Sequence, residues 1–144
     1  GDAPRILESP HTVSLGVPDL LLPASWQMLR DVLGSDITIG SHTVTHRNLA
    51  TLPPHELSHE LSESRIALER ELGVNADAIA YPYGRSSDAV HAAAAAAGYA
   101  AGVTVEFGVN GRASAPLALA RVSVPAGLPT SALTCWGAGI SLRS

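Results

Sequence analysis

Two histidines four residues apart, His42 and His46, are the side chains of this sequence best suited to chemistry. One helical turn would put both imidazoles on the same side, within reach of a single ion. Imidazole nitrogen is among the preferred ligands of zinc. The plain alternative is a pair of surface histidines. The setting strengthens the ligand reading, because a strand-like run, Gly40 and Ser41 lead into the pair and place it at the mouth of a sheet. A second segment, Tyr81-Pro82-Tyr83-Gly84, is a strand end followed by turn residues. It is either a simple connection or a fixed backbone whose N–H groups can hold a developing oxyanion. Arg121, in Arg121-Val-Ser-Val-Pro125, is a charge among apolar neighbours. It is either an exposed edge-strand residue or a tether for a carboxylate in a site. His11, His55, His59 and His91 have no comparable setting, and His55 and His59 lie on the solvent-leaning side of an expected helix. Cys135, beside Trp136, reads as a small packed residue. There is no glycine-rich phosphate loop and no Gly-x-Ser-x-Gly elbow.

These segments need elements to position them. Ser25 can cap a helix carrying Trp26, Leu29 and Leu33, with Gly34 as its stop. Asp36 to Gly40 alternates polar and apolar residues as a short strand does. Pro53-Pro54 opens a second helix with Leu57, Leu61, Leu68 and Leu72 on one face, and Gly73 ends it. Ala78 to Tyr81 is a short apolar strand. Ser87 caps an alanine-rich helix running to Gly98. Tyr99 to Val105 and Leu117 to Val124 are further strands, separated by a loop around Gly108 to Gly111. Gly1 to Leu22, broken by Pro4, Pro10, Gly16 and Pro18, is expected to be an irregular segment, with one domain over 23–144. Alternating helices and strands predict an α/β fold of parallel βαβ units. Chemistry in such folds sits at the C-terminal ends of strands, where both 42–46 and 81–84 fall.

The chain of 144 residues is 46% hydrophobic and 15% charged, enough apolar content for a real core. A net charge of −4 and scattered single arginines argue against nucleic acid as a partner. A single cysteine excludes an internal disulfide. No run approaches the roughly 20 apolar residues of a transmembrane segment. The opening Gly1 points to a processed form or a fragment, so a secretion signal upstream remains open.

Taken together, the string Ile39-Gly40-Ser41-His42-Thr43-Val44-Thr45-His46 resembles the second motif of the polysaccharide deacetylase (NodB homology) family, carbohydrate esterase family 4. Ala80-Tyr81-Pro82-Tyr83-Gly84 resembles its third motif, and Arg121 to Pro125 fits a later strand. The likeness runs from about Trp26 to Pro125. It implies a partial or distorted (β/α) barrel of the NodB type. It implies a divalent metal, with zinc the best fit, held by His42 and His46. It gives Tyr83 a backbone contact to the oxyanion, Arg121 the orientation of a basic aspartate, and Tyr81, Pro82 and Tyr83 the substrate. The implied reaction is removal of N-acetyl or O-acetyl groups from an N-acetylated glycan such as chitin, peptidoglycan or poly-N-acetylglucosamine. Secretion or the cell envelope is the implied location.

The family's Asp-Asp motif, source of the base and a third ligand, has no counterpart in Gly1 to Leu22; neither Asp2 nor Asp19 has the right neighbours. Its late Leu-x-Leu-His motif, source of the acid, is not visible after Pro125. Three explanations fit: a fragment of a longer enzyme, a truncated non-catalytic domain that binds carbohydrate or metal, or a site completed by another chain. Exposed sheet edges need cover, so either a homo-oligomer or a missing N-terminal segment is expected to complete the barrel.

Overall fold

The computed structural model describes residues 23–34, 37–124, 127 and 129. The expected irregular segment 1–22, most of the tail after Val124, and Cys135 with Trp136 lie outside the described residues. Helix α1 spans Trp26–Val32, and the Ser25 hydroxyl accepts from the Met28 N–H as its cap. It docks by Arg30, which reaches the backbone carbonyl of Glu71 at 2.9 Å and its carboxylate at 3.2 Å.

Helix α2, Pro54–Leu72, begins with proline where a missing N–H costs nothing. It ends at Gly73, whose left-handed backbone (φ 67°) turns the chain away. Strand β1 is Ala78–Ala80. Helix α3, Asp88–Ala96, is capped by Ser87, as its sequence implies. Strands β2, Ala101–Phe107, and β3, Leu119–Arg121, complete a sheet in the order β1-β2-β3. All pairings are parallel, which bears out the α/β class.

The strand expected over 36–40 is not formed at 37–40. Among the described residues, pairing there shrinks to a parallel bridge between Ser41 and Ile79. Ser41 N–H donates to the Ala78 carbonyl at 2.8 Å and its carbonyl accepts from Ala80 at 2.9 Å. Alternation over five residues cannot by itself supply a ladder, since pairing depends on the neighbour's length and β1 has three residues. The last strand is likewise shorter than its apolar run. Between Val103↔Leu119 and Phe107↔Arg121 strand β2 carries two more residues than β3, and the ladder is irregular. The Asn110 side chain takes over there, donating to the Ala120 carbonyl at 2.8 Å and accepting from the Ala120 N–H at 3.0 Å.

The core joins Leu57 and Leu61 of α2, Ile79 of β1, Val90 and Ala94 of α3, and Leu49, Tyr81 and Tyr99 from connecting segments. Tyr81 is pinned by close approach to β2: a Cβ at Gly102 would run into its ring and the Leu117 carbonyl. Its hydroxyl donates to that same carbonyl at 2.8 Å. Burial pushes the Tyr81 phenol up to about 12, so it stays a donor at all ordinary pH.

Candidate metal and acyl site

Among the described residues three non-glycine positions have left-handed backbones: Thr43 (φ 71°), His46 (φ 58°) and Tyr83 (φ 58°). Such conformations cost about 1–3 kcal/mol each and persist only where the surroundings hold them. For a β-branched threonine the conformation is a marked outlier. All three residues lie in the two segments singled out by composition.

The 42–46 segment is not the helical turn expected from its spacing. It is a kinked loop, yet it brings the imidazoles together: the His42 and His46 ring centroids are 4.7 Å apart, edge to face. The Tyr83 ring packs on His46 at 4.8 Å, also edge to face. Local tethers hold this shape. Thr43 N–H donates to the Ser41 hydroxyl at 3.2 Å, and His46 N–H donates to the Thr43 hydroxyl at 3.1 Å. His42 Nδ1 lies 2.6 Å from the Ala80 carbonyl. A carbonyl can only accept, so Nδ1 carries a proton, and in the neutral imidazole Nε2 is then the nitrogen with the lone pair. That is the orientation a ligating histidine needs.

Beneath the loop, α2 supplies two buried polar residues that the leucine periodicity did not reveal. Glu60 is 4% exposed and Ser64 8% exposed. One Glu60 oxygen accepts from the N–H groups of Val44 and Thr45, both at 2.9 Å, and the other accepts from the Thr45 hydroxyl. Ser64 Oγ meets Ser41 Oγ at 2.8 Å and the Tyr99 hydroxyl at 3.0 Å. The available signal was position: Glu60 stands three residues after Leu57 and next to Leu61, on the inward side of the helix. Burial raises the Glu60 pKa, but the hydrogen bonds from Thr45, Val44 and the Thr43 side chain outweigh it and hold the carboxyl below its ordinary value of 4.5. A depressed folded-state pKa gives stability that is full above the unfolded value and is lost as pH falls through the folded one. Melting curves should therefore show wild-type stability declining below about pH 4.5, with a shallower decline in Glu60→Gln. Parallel acid limbs would contradict this role.

The expected site residues divide. Tyr83 is 61% exposed beside His46. Among the described residues its N–H donates to no acceptor. Tyr81 and Pro82, expected to touch substrate, are both buried. Their side chains form the floor that holds the turn, because the apolar strand end that aims Tyr83 outward aims Tyr81 into the core. Arg121 lies at the C-terminal end of β3, exposed, with Nε donating to the Thr104 carbonyl at 2.7 Å. His55 and His59 are exposed on α2, as expected. His91, passed over in the sequence, packs 5.7 Å from the Tyr81 ring and meets Ser86 Oγ at 2.9 Å.

The donor set suits a zinc-type cation in part. Two touching imidazoles, one with its tautomer set by a backbone carbonyl, are proper ligands. Among the described residues no third histidine, cysteine or carboxylate joins them.

Comparison with known proteins bears on the family and the fold. The family model for polysaccharide deacetylase matches residues 11–102. The chain is 32% identical over 106 residues to YxkH of Bacillus subtilis (strain 168), named as a protein of this family, covering 74% of this chain and 38% of YxkH. Among solved structures it is similar to the Streptococcus pyogenes deacetylase PplD in complex with acetate, at 27% identity and a TM-score of 0.75, covering 79% of this chain and 50% of PplD. It shares its fold with BC0361, a polysaccharide deacetylase from Bacillus cereus, with a TM-score of 0.69 at 24% identity, covering 85% of this chain and 38% of BC0361. The chain thus spans half or less of these relatives' length. A matching model over most of its residues, on a parallel α/β scaffold with the two motif segments in contact, shows that this chain belongs to the polysaccharide deacetylase family.

Proposed function

We propose that this chain carries the ligand pair and acyl-binding turn of a metal-dependent deacetylase acting on an acetylated glycan such as chitin, peptidoglycan or poly-N-acetylglucosamine. The contact of His42, His46 and Tyr83 supports this reading most directly. His42, through Nε2, and His46 would hold a divalent cation, zinc fitting best. Such a cation supplies Lewis acidity to an acyl carbonyl and acidifies a water at neutral pH. The Tyr83 N–H donates to the acyl oxygen as negative charge develops there, the point at which a fixed donor contributes most. The exposed Tyr83 ring gives the acetyl group or sugar an apolar wall. Buried Tyr81 and Pro82 keep the turn from relaxing. Arg121, held by the Thr104 carbonyl through Nε, keeps its terminal nitrogens for a carboxylate base. The base, the acid and a third ligand are assigned to residues outside those described.

The test is acetate release from chitin oligomers, with and without added zinc, by this chain and by any version extended upstream to an Asp-Asp strand. Zinc-dependent release by the extended version, abolished by a chelator, is expected. No release by a zinc-loaded extended version from chitin, peptidoglycan or acetylated poly-glucosamine would defeat the reading.

A further inference from the structure

The geometry points to Glu60 as the positioning residue of the histidine pair: we propose that its buried carboxylate, by gathering the N–H groups of Val44 and Thr45, holds the His42 and His46 rings against each other. The inference rests on the proposed metal role of that pair for its consequence, but not for its geometry.

A carboxylate at 4% exposure is costly unless every lone pair is used. Among the described residues no lysine or arginine pairs with Glu60. Its hydrogen bonds instead go to Val44 and Thr45, which lie between the two histidines. Two successive N–H groups converging on one oxygen form a nest, a concavity that favours an anion. The strained residues bracket this nest: Thr43 precedes Val44, and His46 follows Thr45. Without an anion beneath it, the loop would face inward with two unpartnered N–H groups and two unfavourable backbones. Its cheapest relaxation turns Val44 and Thr45 toward water. That rotation carries the two ends of the segment, and with them the imidazoles, apart. Ser64, one turn further along α2, fixes Ser41 at the entry to the same loop. The inward face of α2 is therefore polar where it meets the loop and apolar where it meets the sheet.

Substitution separates geometry from charge. Glutamine can accept both N–H groups on its one oxygen and donate its amide to the Thr45 hydroxyl, so Glu60→Gln keeps the arrangement while removing the charge. Glu60→Ala removes both. Leu72→Ala, at the far end of α2, serves as a destabilised control. Two readouts are needed. In metal-free protein, NMR contacts between His42 and His46 ring protons are expected in wild type, Glu60→Gln and Leu72→Ala, and lost in Glu60→Ala. In zinc titration against a chromophoric chelator, Glu60→Ala should weaken binding about 10-fold, the lower end for loss of a residue supporting a ligand. Glu60→Gln and Leu72→Ala should stay near wild type. Ring contacts retained in Glu60→Ala, or lost equally in Glu60→Gln, would overturn the proposal. Should wild type bind no zinc while the ring contacts behave as expected, the metal reading fails and the positioning role stands.

Discussion

His42→Ala and His46→Ala should each lower zinc affinity by roughly an order of magnitude or more, the cost of losing a ligand that contacts the ion directly. The two effects are not expected to add. Once one imidazole is gone, the other binds as a single surface histidine would, so the double variant should fall little below either single one. His55→Ala and His59→Ala, with the same i, i+4 spacing but on α2 and away from the His42–His46 ring contact, should leave zinc binding unchanged. Calorimetric titration of the five variants decides the matter. Equal zinc affinity in wild type, His42→Ala and His46→Ala would show that the facing rings have another purpose.

The second large effect is on stability. Leu61 is fully buried at the centre of the core, between α2, β1 and α3. Leu61→Ala removes its packing and leaves a cavity, at a cost of about 2–5 kcal/mol. For a chain of this size that lowers the melting midpoint by roughly 10 °C. Ile66→Ala on the same helix, 49% exposed, should cost a small fraction of that. Calorimetry on the two variants gives the comparison, and similar midpoints would mean the core is wrongly placed. Because Leu61 is next to Glu60, the size of this loss also shows how firmly α2 is seated under the loop.

Local chemistry was readable from the residues. The caps at Ser25 and Ser87, the proline start of α2 and its Gly73 stop all depend on a few adjacent side chains, and all are found. The parallel α/β layout was readable from the alternation of long and short apolar runs. What escaped the sequence depends on partners distant along the chain. Asp36 to Gly40 has strand-like alternation, but a ladder needs a neighbour, and among the described residues pairing is confined to Ser41. Glu60 stands on the leucine side of its helix, but its partners appear only when the loop 16 residues upstream of it is placed over that helix. The facing of His42 and His46 was expected from a helical turn but is achieved by left-handed backbones at Thr43 and His46, a conformation that propensity does not assign to a β-branched threonine. Tyr81 and Tyr83 share a motif and an aromatic ring, yet one is floor and the other is wall. Their difference comes from the fit of Tyr81 against Gly102 and the Leu117 carbonyl, which lie on the next strand and beyond it.

Zinc-edge X-ray absorption on the chain loaded with one equivalent of zinc counts the imidazoles at the ion. Two histidine nitrogens at about 2.0–2.1 Å are expected in wild type and one in His42→Ala. A shell of oxygen alone in the wild-type protein would contradict a cation shared by His42 and His46.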